Sequence, residues 1–346
     1  MLSTVRVFAL CAALVALTAA CSTTAPWSAP PTGSAAQPVA GSGATSGAQR
    51  DSATTPQPAT EPETGVMEKT RESVRSTAEW LARGVDSWFG DIPFERGGRV
   101  TDGILGVGLL RSNVEGDSAS VRFNARFRLP NLERRAYAFV GRDNTREVIT
   151  DTPGELTRQR RLLEERPEDR SFFAGLGVPV IEGVDFRLGF RGGLKPYGQV
   201  RYRRPWELAN RDLVEFRQTV FWALSEHFGS TTVLSYEHPI SSTLALRWLN
   251  GATITQVSKN FEWSSVLGAY RSFGGPRLLS LEGLISGKPG TGVNISDYGL
   301  QVRWEQAVHR DWLLGEVTVG HFWPRKDAAS ERLSGWALGV NAKMRF

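Results

Sequence analysis

The chain has 346 residues, with 41 Lys plus Arg against 36 Asp plus Glu and a formal net charge of +5. The basic residues are spread through strand-like segments and form no stripe, which argues against nucleic-acid binding. The only two cysteines are Cys11 and Cys21, so the body of the chain can form neither a disulfide framework nor a cysteine-based metal site. The 11 Trp and 36 Gly suit a membrane interface and tightly curved strands.

Residues 1–20 have the pattern of a secretory signal peptide. Arg6 precedes an apolar run at Val7–Ala19, which is too short for a membrane-spanning helix of about twenty residues. Small residues then lead into Cys21, and this resembles the lipobox of bacterial lipoproteins, although Thr18 stands where that family usually has leucine. The resemblance implies that Cys21 is acylated and that Ser22 directs the protein to the outer membrane. The alternative is an ordinary signal peptide cleaved nearby.

Residues 21–64 are rich in Ala, Pro, Ser, Thr, Gly and Gln and have almost no aliphatic bulk. Such a segment buries too little apolar area to offset its ordering entropy, so we expect a disordered tether. Its root-mean-square span would be roughly 35 Å. It would separate a lipid anchor from the domain that follows.

Residues 65–92 predict an amphipathic helix, because apolar residues recur at steps of three and four opposite a charged face. Gly90, Asp91 and Pro93 would end it. The helix either lies on the periplasmic membrane surface, covers the rim of the following domain, or plugs its interior. Trp80 and Trp88 disfavour the plug, because a polar interior has no need of them.

Residues 98–346 predict a β-barrel domain. Successive segments of about ten residues alternate an apolar face with a polar one, which is typical of transmembrane barrels. Arg and Glu dominate the polar face, and Trp or Tyr stands near strand ends, which favours the barrel over a soluble β-sandwich. The fold class predicted is therefore all-β, an antiparallel transmembrane β-barrel. We expect 14 strands, or 12 if the short pieces between Ser171 and Arg191 merge.

The final segment, Leu333–Phe346, alternates an apolar face with a polar face and stops on a phenylalanine. It resembles the closing strand of bacterial outer-membrane β-barrels, in which this ending also serves as the assembly signal. The resemblance implies a Gram-negative outer membrane, contact with its lipid, and an encounter with the barrel-assembly machinery during insertion. The N-terminal tether would then be periplasmic.

The long connection at 143–170 contains a second helix signal. Thr152, Pro153, Gly154 and Glu155 form a capping box with proline at the first helical position. The parity of the predicted strands places this connection outside the cell. It either folds into the pore as a constriction or covers the rim.

The inward-facing positions of the predicted strands carry many charges, and arginine outnumbers acid. These charges either pair in a filled interior or favour anions along a watery path, which would admit small solutes. The lumen-lining candidates are Arg122, Arg126, Arg128, Arg187, Arg191, Arg201, Arg203, Arg217, Arg247, Arg303, Glu215, Glu262, Glu282, Glu305 and Glu316.

No phosphate loop, paired-histidine helix or calcium loop occurs, and we expect no metal and no cofactor. His321 and Ser334 are the pair best placed to resemble the outer-membrane phospholipases, which pair His with Ser and Asn on the lipid-facing side. A histidine in an aromatic belt is the plainer interpretation. The sequence favours an outer-membrane pore or transport barrel. The alternatives are a non-conducting structural or assembly barrel and a lipid-acting enzyme.

Overall fold

A computed structural model describes residues 63–86, 97–114, 116–131, 136–143, 145–163, 171–259, 261–288, 293–325 and 327–346. The predicted signal peptide, Cys21 and most of the tether lie outside the described residues. So does the last part of the predicted helix at 65–92.

The body of the chain is a closed antiparallel barrel of 14 strands. Each strand pairs with the next along the chain, and β1 pairs with β14 to close the sheet. The strands are β1 Arg99–Ser112, β2 Gly116–Arg128, β3 Tyr137–Arg142, β4 Phe172–Ile181, β5 Val184–Arg191, β6 Lys195–Glu207, β7 Leu213–Ala223, β8 His227–Pro239, β9 Leu244–Thr255, β10 Phe261–Ser272, β11 Leu278–Gly287, β12 Asp297–His309, β13 Leu313–Phe322 and β14 Gly335–Arg345. The predicted fold class is confirmed. The 12-strand alternative is wrong, because β4 and β5 are separate strands joined by a tight turn at Gly183, whose φ of 78° suits glycine.

Three α-helices accompany the barrel in the described part of the chain: α1 Glu63–Asp86, α2 Thr145–Thr150 and α3 Gly154–Leu163. The helix α3 begins where the capping box predicted a start, whereas α2 was not predicted. None of these helices is both long enough and apolar enough to cross a bilayer.

The barrel wall has one apolar face and one charged face, because side chains alternate along each strand. We call outer the face that carries exposed apolar residues such as Leu109, Leu188 and Val319. We call inner the face that contacts α2 and α3. Most of the outer apolar side chains are 36–66% exposed, far more than residues of a soluble core would be.

The two ends of the barrel differ. One end holds the start of β1, the end of β14 and short turns, and we call it the termini end; the other holds the connection with α2 and α3, and we call it the loop end. In the termini-end turn between β6 and β7, Asp212 accepts hydrogen bonds from His238 Nδ1 at 2.6 Å and Tyr236 Oη at 2.9 Å. These bonds favour the charged carboxylate and lower the pKa of Asp212.

The helix α1 lies against the outer face at the termini end. Ala78 and Ala82 are almost fully buried and pack on the outward-facing Ala125 and Phe127 of β2. Towards its start, the Arg71 Nε donates to the backbone oxygen of Arg345 at 3.2 Å. Trp80 points away from these contacts and is 69% exposed. The helix therefore follows the outside of the rim, and its described part contributes nothing to the interior.

Candidate functional site

The interior of the barrel holds the described part of the connection between β3 and β4, residues 145–163. The helix α2 contacts β6, β7 and β8. The helix α3 contacts β9 and β10, and it also contacts β14 and β1. In the ring of 14 strands these two groups are four to six strands apart, so α3 crosses the interior between two separate parts of the wall. The structure thus resolves the alternative left open by the sequence for the described part of this connection: residues 145–163 fold into the barrel.

Apolar side chains fix α3 at both of its ends. Leu156 and Leu162 are 3% and 7% exposed. They belong to a cluster with inward-facing residues of the wall, which are Val233, Leu249, Val266, Leu284, Phe322 and Ala337. Gly251 of β9 makes room for this packing, because a Cβ at this position would collide with the Leu156 side chain. The wall is thus shaped to receive the helix.

Polar contacts attach the segment between the two helices to β6 and β7. Asp151 pairs with Arg201 at 3.2 Å and Arg217 at 3.6 Å, and it accepts a hydrogen bond from Thr219 at 3.1 Å. Gln199 donates to the backbone oxygen of Val148 at 2.6 Å. Asp151 thus joins one carboxylate to three wall side chains, which makes it the main polar anchor of α2.

The carboxylate of Glu282 on β11 forms the centre of a second polar cluster. It is fully buried and contacts Arg158 of α3 at 2.7 Å and Arg303 of β12 at 3.7 Å. Gln301 also donates to it. Arg303 continues the cluster to Glu316 at 3.3 Å. A buried carboxylate with two guanidinium partners is costly to disturb, so this cluster links α3 firmly to the wall.

The strand register puts the 15 lumen-lining candidates on the face that contacts α2 and α3. Six of their arginines pair with acids. These pairs are Arg122–Asp143, Arg201 with Asp151 and Asp185, Arg203–Glu215, Arg217–Asp151, Arg247–Glu155, and Arg303 with Glu282, Glu305 and Glu316. Arg191 donates to Ser225, Glu262 pairs with Arg146 and Lys288, and Arg128 stands opposite Arg99.

Sequence reasoning missed the partners that come from the inserted segment. Asp151, Glu155 and Arg158 face wall residues that are far away in sequence, 124 residues in the case of Arg158 and Glu282. No local pattern marks such pairs. Lys343 of β14, which bonds Glu316 at 2.6 Å, could have been included, because it lies on the polar face of the final strand.

Arg126 and Arg187 differ from the paired arginines. Both lie beside the same ring: their guanidinium carbons are 4.7 Å and 5.9 Å from the centre of Tyr137. Arg187 Nε also donates to the Tyr137 hydroxyl at 2.9 Å. In the described part of the chain neither guanidinium contacts a carboxylate. Stacking on an aromatic face leaves the N–H edge of a guanidinium available for an anion.

His321 and Ser334 meet on the outer face at the loop end. The Ser334 hydroxyl is 3.0 Å from His321 Nε2, and the edge of the imidazole meets the ring of Trp323 at 4.5 Å between centroids. No acid or amide side chain is hydrogen-bonded to His321 within the described ranges. The structure thus brings together the serine and the histidine that the sequence singled out, without the third group that would orient the base.

Comparisons with known proteins identify no family. No family model matches the chain, and no curated protein matches it. Among solved structures, the outer membrane channel DcaP of Acinetobacter baumannii is 8% identical, with a TM-score of 0.44, covering 73% of this chain and 98% of that one. The anion-selective porin from Comamonas acidovorans is 11% identical, with a TM-score of 0.40 and coverages of 72% and 100%. OccK11 of Pseudomonas aeruginosa is 11% identical, with a TM-score of 0.39 and coverages of 72% and 97%. The chain is similar in fold to these outer-membrane porins and channels.

Proposed function

We propose that this chain is a pore-forming barrel of the Gram-negative outer membrane that carries small anionic solutes past the inserted helices α2 and α3. The observation that carries the proposal is the contrast between the two faces of the closed wall. An exposed apolar outer face suits lipid, and an inner face crowded with arginine and acid suits a hydrated path. With termini and short turns at one end, that end would be periplasmic.

The preference for anions is proposed from Arg126 and Arg187. The charges of the other wall arginines with acid partners are balanced locally, whereas these two stack on Tyr137 and have no carboxylate partner among the described residues. A solute that passes the part of the interior lined by β2 to β5 would meet the guanidinium groups of Arg126 and Arg187, which lie beside the same tyrosine ring. Charge selectivity in pores arises from such uncompensated groups.

The test is single-channel recording of the folded protein in planar bilayers across a salt gradient. We expect discrete conductance steps and a reversal potential that favours chloride. The double variant Arg126→Gln/Arg187→Gln should lower the chloride-to-potassium permeability ratio by at least about fivefold, because each of the two unit charges contributes about 1 kcal/mol at 4 Å in water. The charge-balanced control Arg203→Gln/Glu215→Gln, which removes an arginine together with its acid partner, should change the ratio much less.

Two results would contradict different parts of this proposal. Folded protein that conducts at no voltage would reject the pore and favour a structural or assembly barrel. Normal conductance with an unchanged reversal potential in Arg126→Gln/Arg187→Gln would retain the pore and reject the anion path.

We further propose that Cys21 is the lipidated first residue of the mature protein and that residues 21–64 tether it on the periplasmic side. Support comes from the sequence pattern described above, since Cys21 and the tether up to residue 62 lie outside the described ranges. Mass spectrometry of membrane-extracted protein should find a lipid adduct that disappears in Cys21→Ala. An adduct that persists in this variant would refute the assignment.

A second candidate function, lipid hydrolysis, is favoured by one observation, the 3.0 Å contact between Ser334 and His321. A serine beside a base is the minimal arrangement of a nucleophile, and the outer face at the loop end would adjoin lipid headgroups. If the pair is catalytic, Ser334→Ala should abolish phospholipid hydrolysis in mixed micelles while Ser242→Ala, in a turn at the opposite end, retains it. Absence of hydrolysis by the unaltered protein would eliminate this candidate.

A further inference from the structure

A stripe of polar side chains crosses the outer face of four neighbouring strands. It consists of Gln218 on β7, Ser230 and Thr232 on β8, Asn250 on β9 and Ser265 on β10. The register places them on one face, since Gln218 pairs with Thr232, and Asn250 pairs with Ser265. They share that face with exposed apolar residues of the same strands, Val220, Leu234, Trp248 and Leu267.

The polar stripe lies at the middle depth of the apolar wall. On β7 and β8, Trp222 and Phe228 stand between it and the loop end. On β8 and β9, the cross-strand pair of Tyr236 and Trp248 stands between it and the termini end. Aromatic side chains in two rows mark the two interfaces of a lipid-facing band. The polar stripe therefore falls between those rows, where hydrocarbon would surround it.

Hydrogen bonds within the polar stripe satisfy only part of it. The Gln218 amide donates to Ser230 and accepts from Thr232 at 2.7 Å. The Trp248 indole donates to Ser265 at 2.9 Å. The Asn250 amide has no hydrogen-bond partner among the described residues. An amide that faces hydrocarbon without a partner is unfavourable by several kcal/mol in transfer measurements. Within the described part of the chain, Asn250 therefore lacks a hydrogen-bond partner, which a second protein could supply.

At the same depth, the opposite wall has no such feature among the described residues. Seven strands away from β9 lies β2, where the outward Val121 is paired with the outward Val107 of β1. Val319 on β13 and Leu338 on β14 continue this surface with apolar side chains. All four are well exposed and need no partner other than lipid. The barrel is thus two-sided, with one lipid-suited wall and one wall that carries polar groups at the same depth.

We propose that the polar stripe is the interface between two copies of this chain. At that depth only a membrane-embedded partner can reach Asn250, which excludes soluble proteins. The stripe has uncharged groups that both donate and accept, and such a surface is complementary to itself about a two-fold axis. Small outward residues beside it, Ala252, Ala269 and Gly283, allow the two walls to approach closely. A two-fold axis near Asn250 would pair the two amides with each other.

Disulfide cross-linking of the full chain in lipid vesicles tests the interface. In a Cys11→Ala/Cys21→Ala background, Asn250→Cys should form a covalent dimer on mild oxidation, because the two positions meet at the axis. Val121→Cys, on the opposite wall, should form far less. In this background the introduced cysteine is the only thiol of the chain, since Cys11 and Cys21 are its two natural cysteines.

A second measurement avoids dependence on a cysteine variant. Native mass spectrometry after gentle detergent extraction should show a dimer, and Asn250→Leu should weaken its association about threefold or more, by analogy with single hydrogen bonds between membrane helices. A monomer mass together with equal cross-linking at positions 250 and 121 would overturn the proposal, as would a stripe occupied by a different membrane protein. The proposed interface requires that the outer face lies in lipid, but it does not require conductance. The interface and the proposed pore function can therefore fail separately.

Discussion

A barrel without α2 and α3 should conduct several-fold better than the intact protein. The variant replaces residues 144–170 with a Gly/Ser linker of about six residues, a length that commonly joins neighbouring strands. Because α3 reaches from β9 and β10 to β14 and β1, it takes up part of the cross-section of any path through the barrel. Its loss should enlarge the open cross-section while the strand ladder remains intact. Single-channel conductance in planar bilayers measures the change.

The control for this variant shortens another loop-end connection. Replacement of residues 325–332, between β13 and β14, by a similar linker alters a shorter connection, in which Arg332 donates to the backbone oxygens of Ser296 and Trp323. It should leave the conductance within the spread of the intact protein. If both deletions conduct alike, the inserted helices do not limit the path, and the narrowest point must lie elsewhere along the wall.

The barrel itself could be predicted because a wall between two different environments imposes a period of two on every strand. Val121, Phe123 and Phe127 alternate with Arg122 and Arg126 in the sequence, and the structure puts the two sets on opposite faces of β2. Strand number followed from counting such segments. The alternation also specifies the strand register, since a register shifted by one residue would exchange the apolar and polar faces.

The filling of the barrel could not be predicted, because it depends on contacts between distant parts of the chain. The capping box at Thr152 located the start of α3 but contained no information about where the helix packs. Its position follows from Leu156 and Leu162 finding apolar inner positions, and from Asp151 and Arg158 finding charged ones. Equally, the helix pattern of α1 did not reveal that Ala78 and Ala82 would pack on the outer wall.

The polar stripe was visible in the sequence only at one point. Gln218 interrupts the apolar face of β7, which by itself is an isolated exception. Only the register shows that Thr232, Asn250 and Ser265 continue it across three further strands. When each strand is considered alone, a single polar residue on its apolar face is not a signal of an interface. Their alignment at one depth shows that they form one continuous polar surface.

Substitution Glu282→Leu should lower the free energy of unfolding by about 3–5 kcal/mol, the typical cost of removing one partner of a buried ion pair. Glu282 is fully buried, and its loss would leave Arg158 without its carboxylate and Arg303 with fewer acid partners. Urea unfolding of the protein in lipid vesicles, followed by tryptophan fluorescence, measures the difference. The matched control Glu305→Leu removes a more exposed acid that contacts Arg303 at 3.7 Å and should cost less.

The double variant Glu282→Leu/Arg158→Leu distinguishes the helix-to-wall link from a general loss of wall stability. If Glu282 mainly anchors α3, removing Arg158 as well should recover part of the lost stability, because no uncompensated guanidinium then remains on the helix. It should also raise the conductance towards that of the barrel without α2 and α3, since the helix has lost its central polar contact. Additive losses with unchanged conductance would show that Glu282 serves the wall through Arg303 and Gln301, and that the apolar contacts of Leu156 and Leu162 alone hold α3 across the interior.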